Sequence, residues 1–183
     1  APRQRNSRED NETIKSGEIP QDWSDNQRRQ KDVDARWVKK HGKSHYGYKN
    51  HVSIDRRHKL VRRYGVTTAA VHDSQVFEEL LDTQNSSKDV WADSAYRSES
   101  TEALLTEAGY RSHVHRKGNR RRSLNSREQE ANRKRSQVRA RVEHVFAWQT
   151  NRLVRVIGQA RAELKIGMMN VVYNMRRFAW LMQ

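Results

Sequence analysis

Apolar positions along the chain recur first with a period of two and later with a helical period. Tyr46, Tyr48, Val52 and Ile54 alternate with polar neighbours, and a second run over residues 60–68 follows the charged segment Asp55-Arg56-Arg57-His58-Lys59. That pattern predicts an antiparallel hairpin. Behind the cap residues Asp73-Ser74, the spacing of Val76, Phe77, Leu80 and Leu81 predicts a helix ended by Asn85-Ser86-Ser87. Val90-Trp91-Ala92 predicts a buried strand over 89–93. Ser98 then caps a helix containing Ala103, Leu104 and Leu105 that stops at Gly109, and a short strand covers 110–115. Asn125 or Ser126 starts a long helix to about residue 151. In a last helix, 159–182, Leu164, Met168, Val171, Met175, Phe178 and Met182 recur at spacings of three and four, the mark of a helix packed on a core.

Residues 1–31 lack such periodicity. They are polar, hold both prolines and include the turn-rich Lys15-Ser16-Gly17-Glu18-Ile19-Pro20, which predicts an extended N-terminal arm ahead of one domain over 32–183.

Charge sharpens the picture. The 183 residues carry 37 Lys+Arg against 22 Asp+Glu, a formal net charge of +15, and the excess is concentrated in residues 36–63 and 111–141. A polyanion is the expected partner. Lys39, Lys40, Lys43 and Lys49 in the first window, and Arg116, Lys117, Arg120, Arg121, Arg139 and Arg141 in the second, are the candidate phosphate contacts. With no cysteine, disulfides, thiolate zinc sites and a cysteine nucleophile are excluded. No apolar run reaches about 18 residues and the N-terminus is no signal peptide, so the expectation is a soluble cytoplasmic protein without a membrane partner.

Two acids stand beside the basic windows. Asp93 ends the apolar strand, and Glu143 lies on a helix among Arg139, Arg141 and His144. Carboxylates so placed in a basic protein suggest divalent metals acting on a nucleic-acid phosphate. Plainer roles exist for both: Asp93 as the cap of the next turn, and Glu143 as the partner of Arg139 in an i,i+4 pair worth a few tenths of a kcal/mol. Asp32, Asp34 and Asp55 read as turn and surface residues, with a ligand role as the alternative. His113 and His115 share one strand face but have no third ligand at zinc-site spacing, and Trp37, Trp91, Trp148 and Trp180 read as core or partial core.

The order hairpin, helix, acid-tipped strand, helix, strand and acid-bearing helix resembles an α/β ribonuclease-H-like fold, a mixed sheet with helices on both faces. The residues also carry a family resemblance. It rests on Arg3-Gln4-Arg5-Asn6-Ser7-Arg8, Asp34-Ala35-Arg36-Trp37 with Lys39-Lys40-His41-Gly42-Lys43, Tyr46-Gly47-Tyr48-Lys49 and His72-Asp73-Ser74. Further along it rests on Trp91-Ala92-Asp93-Ser94-Ala95-Tyr96, the segment 139–146, and Lys165-Ile166-Gly167 with Tyr173-Asn174-Met175-Arg176-Arg177. Together these resemble the DDE transposases of bacterial insertion sequences, in the IS-five group.

The resemblance implies Asp93 as the second catalytic aspartate, Glu143 as the catalytic glutamate and Arg139 as the arginine four residues before it. It also implies two Mg2+ or Mn2+ ions, DNA as substrate, and a homodimer that brings two DNA ends together. The sequence departs from the family pattern at Ser136 and Thr150, where a tyrosine and a lysine are expected, and in a short linker around 150–153. The family's first catalytic aspartate lies on a first strand upstream of Ala1-Pro2-Arg3-Gln4, so the expectation is a transposase fragment that is either unstable alone or has its first strand supplied by another polypeptide. Two function classes follow: a metal-dependent enzyme that hydrolyses phosphodiesters and transfers DNA strands, or an inactive remnant that binds DNA or a partner.

Overall fold

A computed structural model describes residues 4–40, 42–120, 122–150 and 154–183. Arg3, His41, Arg121 and the linker residues 151–153 lie outside them.

Residues 8–30 are not extended. Ser7 accepts from the Asp10 N–H and Asp10 from the Ser7 N–H, a capping box that starts α1 (Arg8–Lys15), and Ser24 with Gln27 starts α2 (Asp25–Gln30) in the same way. The arm folds back because Asp10 gathers three partners. Its carboxylate accepts from Lys31 Nζ at 2.7 Å, Trp23 Nε1 at 3.0 Å and the Ser7 N–H at 2.9 Å, and Asn6, Asn11, Ile14, Pro20 and Trp23 are buried.

The hairpin forms as β2 (Lys43–Ile54) and β3 (Val61–Thr68), closed by a turn in which the Asp55 carboxylate accepts from the Arg57 and His58 N–H groups and Lys59 takes φ 62. An additional strand, β1 (Arg36–Lys40), pairs antiparallel with residues 43–47 of β2. The expected helix at 76–81 is instead two short 3-10 turns, Asp73–Val76 and Glu78–Leu80, with Val76, Phe77 and Leu80 buried. Strand β4 (Asp89–Val90) pairs in parallel with β5 (Arg111–Ser112), and α3 (Glu99–Glu107) joins them. The ladder runs on through His113 N–H to Val90 O at 2.8 Å and His115 N–H to Ala92 O at 3.0 Å.

Among the described residues the two sheets do not join: one has the order β1-β2-β3, the other β4-β5. Beyond residue 125 the described residues hold three α-helices. The long helix is interrupted, with α4 (Ser126–Arg139) followed by a 3-10 turn, Ala140–Val142, and then α5 (Glu143–Gln149); α6 (Gln159–Leu181) lies against β3 and β2. Gly167 permits this approach, because a Cβ there would collide with the Tyr64 side chain.

The face of α6 turned to the body is not the stripe read from the sequence. Ala162, Ile166, Asn170 and Tyr173 are buried there, whereas Leu164, Met168, Val171, Met175, Phe178 and Met182 are all exposed. The polar residues on the buried face carry the docking. Asn174 brackets Val61 by accepting from its N–H and donating to its carbonyl, both at 2.8 Å, and Arg177 donates to His58 O at 2.7 Å. Two apolar clusters result, Phe77–Leu105–Tyr110–Val114 around β4 and Val61–Val145–Tyr173 beneath the hairpin.

Asp32 ties the arm, the sheet and α6 together. Fully buried, it accepts from Tyr48 Oη at 2.8 and 2.9 Å, from the Asp34 and Ala35 N–H groups at 2.9 and 3.1 Å, and from Gly158 N–H at 3.0 Å. Removing this acceptor strands several buried donors at once, so Asp32→Ala is expected to cost about 3–5 kcal/mol in urea unfolding. A loss below about 1 kcal/mol contradicts the knot.

Candidate active site

Val90 and Ala92 pack on the Phe77–Leu105–Tyr110–Val114 cluster, which holds β4 in place and carries Asp93 to its end. Asp93 Oδ1 accepts from the Ala95 N–H at 2.6 Å and caps the 3-10 turn Ser94–Tyr96. The capping role is therefore real, and it occupies one oxygen; Oδ2 has no hydrogen-bond partner among the described residues. That carboxylate lines a cavity of about 840 Å3, in the range of small-ligand sites, between the two sheets.

Strand edges form the cavity's walls. Gly47 O accepts from the Ala69 N–H on the β3 side, so alternation turns the backbone groups of Tyr48, Asn50 and Val52 to the opposite edge. That edge is covered by β1 only over residues 43–47. On the other sheet Lys88, Val90 and Ala92 offer their carbonyls to β5, which turns Asp89, Trp91 and Asp93 the other way. Residues 49–54 and 89–93 all line the space.

Arg139 closes the cavity from α4, and Val142 and Phe146 line it as well. Glu143 does not line it. Its carboxylate sits at the rim, 56% exposed, accepting from Arg139 Nη1 at 3.4 Å, while the buried Nε of Arg139 has no partner. His115 links the strand to the helix: its Nε2 lies 3.3 Å from Ser136 Oγ, and it feels the charges of both Arg139 and Asp93. Burial pushes its pKa below the usual histidine value, Arg139 and Arg135 push the same way, and Asp93 only partly opposes them.

Asp73 is the acid that reading the sequence missed. His72-Asp73-Ser74 is a visible motif in which Asp73 reads as a cap, but the N-cap of that turn is His72, which accepts from the Ser74 N–H. The Asp73 carboxylate lines the cavity, 3.1 Å from Lys49 Nζ and 3.9 Å from His51 Nδ1. Burial would raise its pKa; the Lys49 hydrogen bond and charge outweigh that and hold it below the usual range. Tyr96 sits near Asp73 and Asp93, and burial together with their charges raises its phenol to about 12.

Asp32 and Asp34 are committed elsewhere, the latter to Gln159 N–H at 2.9 Å, and Asp55 is spent on its turn. His113 stacks on Trp91 with centroids 4.7 Å apart and bonds Asp89 at 2.9 Å, and Arg56 lies over the Trp91 ring at 5.0 Å. Among the described residues no three His, Cys, Asp or Glu side chains gather as a metal site.

The basic residues divide into free and engaged. Lys39, Lys40, Lys43, Lys117 and Arg120 are exposed. Lys49 is held by Asp73, Arg116 by Glu128 at 2.9 Å, Arg139 by Glu143, and Arg141 by Arg56 O at 2.6 Å.

The model of the transposase DDE domain matches residues 18–175. The chain belongs to that family. It is also similar to the transposase for insertion sequence element IS1106 of Neisseria meningitidis serogroup B, 33% identical over 116 residues. That match covers 63% of the chain and 40% of the relative, so the chain spans well under two thirds of that protein's length. No solved structure matches. Among the described residues, no helix of this DDE domain is long and apolar enough to cross a membrane.

The contact of the extension of β5 with α4 through His115 can be measured. By NMR, His115 is expected to titrate below pH 6.5, so that its protonation on acidification favours the unfolded chain. Arg139→Ala is expected to raise its midpoint by removing a neighbouring cation. A midpoint at or above 6.5 in the unaltered chain, or no response to Arg139→Ala, contradicts the arrangement.

Proposed function

We propose that this chain is the greater part of the catalytic domain of an insertion-sequence transposase of the IS-five group, with a ribonuclease-H-like plan. Its action is metal-dependent phosphodiester hydrolysis and strand transfer on DNA. One observation carries the reading: Asp93 presents an unengaged carboxylate oxygen in a cavity whose two walls are uncovered strand edges and whose roof is the arginine of the 139–146 motif. The exposed lysines and arginines beside it supply the contacts a DNA backbone requires.

Asp93 and Glu143 are the residues that would hold Mg2+ or Mn2+. Bound ions of this class polarise a phosphodiester and activate water. The described residues fit such a pair incompletely, with one carboxylate inside the cavity and a second turned to Arg139 at its rim. No reaction step follows from these two acids alone. The cavity itself suggests what completes them. Its facing edges, 49–54 and 89–93, match a strand of about six residues, roughly 20 Å long, and a strand seated there would meet both edges with backbone hydrogen bonds. A polypeptide strand bearing one further carboxylate would place three acids around one space.

Mg2+ or Mn2+ titrations with end-labelled DNA separate this reading from that of a DNA-binding remnant. The 183-residue chain is expected to bind DNA without cutting it. A polypeptide carrying an additional aspartate-bearing strand ahead of residue 1 is expected to nick DNA, and Asp93→Asn or Glu143→Gln in that polypeptide is expected to lower the rate by at least a hundredfold, about 2.7 kcal/mol. Activity that survives both substitutions overturns the assignment, and a longer polypeptide that binds DNA without nicking it supports the remnant.

A further inference from the structure

The end of the β1–β2 hairpin stands clear of the body as a two-stranded ribbon. Its base is held firmly. Trp37 and Tyr46 face each other across the strands with ring centroids 5.0 Å apart, Trp37 Nε1 donates to Asn6 O at 3.0 Å, and Tyr46 Oη donates to Asp32 O at 3.2 Å. Beyond that rung Lys39, Lys40, Gly42, Lys43, Ser44 and His45 are all exposed. The last rung sets Lys40 opposite Lys43, a like-charge pair that disfavours the strand pairing. Asp73, the acid that feels the Lys40 charge, is already paired with Lys49 at 3.1 Å. The tip therefore offers positive charge to an anion from outside the chain.

We propose that this ribbon enters the major groove of B-form DNA beside the cavity and reads base edges there. The proposal rests on the DNA-transposase reading above and goes beyond phosphate contact by adding sequence recognition. Dimensions select the groove. From the Trp37–Tyr46 rung to Gly42 the ribbon extends about 13 Å, at about 3.4 Å per residue. Two strands about 4.8 Å apart, with their side chains, match a major groove about 12 Å wide and 8.5 Å deep. A minor groove about 6 Å wide, or the deep, narrow major groove of A-form RNA, does not admit them. Gly42 takes φ 76 with open space where a Cβ would stand, so the tip is slim enough to approach base pairs.

Alternation divides the side chains. Lys40, Lys43 and His45 share one face, on which Lys40 also lines the cavity, and Lys39 and Ser44 share the other. Ammonium groups donate and do not accept, and guanine presents two acceptors in the major groove, N7 and O6. The ribbon is thus built to select guanine near the phosphate that the cavity receives.

The 183-residue chain tests this by binding alone, with no metal and no cleavage, so a failure of the longer polypeptide to nick DNA leaves the outcome untouched. Selection from a pool of randomised DNA duplexes is expected to enrich a short guanine-containing motif. Lys39→Gln with Lys43→Gln is expected to abolish the enrichment with an unchanged circular dichroism spectrum, since both residues are exposed. Lys117→Gln, on a separate loop, is expected to weaken binding to every sequence alike and to leave the motif intact. In the selected duplex, 7-deazaguanine, which lacks the N7 acceptor, is expected to lower affinity by about fivefold or more, whereas hypoxanthine, which lacks the minor-groove amino group, is expected to change it by less than about twofold. A pool that stays random, a motif retained by the double variant, or an affinity indifferent to 7-deazaguanine overturns the proposal.

Discussion

The demand that buried backbone N–H and C=O groups be paired governs the centre of this protein. On the β2 edge, Tyr48, Asn50 and Val52 turn their amide groups away from β3; on the β4 edge, Asp89, Trp91 and Asp93 turn theirs away from β5. Between the edges lies the cavity, and the Asp93 carboxylate stands at the end of one of them. The same geometry therefore creates the cavity and its structural weakness. Water can solvate those groups while the cavity is open, whereas a strand would pair them and bring new side chains against Asp93, Arg139 and Lys49.

The remainder of the fold is arranged to hold these edges apart and in register. Asp32 fixes the entry to α6 against the start of the sheet, and Asn174 and Arg177 hold the far end of α6 on the hairpin. Much of the basic charge is consumed locally by acids that gather it. Glu128 receives Arg116 and Arg122, Asp89 receives Arg111, and Asp73 receives Lys49. Of the candidate phosphate contacts, Lys39, Lys40, Lys43, Lys117 and Arg120 are exposed without such a partner, on the β1–β2 hairpin and the 117–120 loop. The net charge of +15 already subtracts these acids, so the pairing leaves its size unchanged and sets its position.

Local chemistry explains which parts were legible. The hairpin was readable because alternation and a charged turn coincide, and α3 because Ser98 and Gly109 mark its ends. Asp93 was readable because an apolar run leads into it. The arm was misread because its apolar content is low; Ile14 and Trp23 bury only once Asp10 draws Lys31 and Trp23 inward, a contact between residues far apart in sequence. Strand β1 was missed because Arg36, Lys39 and Lys40 mask Trp37 and Val38. The α6 stripe misled most: its periodicity was right and its direction wrong, since Asn170, Asn174 and Arg177 bind the body by hydrogen bonds that no hydrophobic pattern reports. Asp73 is overlooked because its partners, Lys49 and His51, come from β2, more than 20 residues earlier in the chain.

Amide hydrogen exchange on β2 and β4 tests the central claim most directly, that the space beside Asp93 is a place for a strand. In the 183-residue chain the Asn50, Val52 and Trp91 amides are expected to exchange far faster than those of Lys49 and His51, which face β3. In a polypeptide that carries an additional acid-bearing strand ahead of residue 1, the same three amides are expected to become protected. Protection already present in the shorter chain, or exchange unchanged in the longer one, would contradict the account.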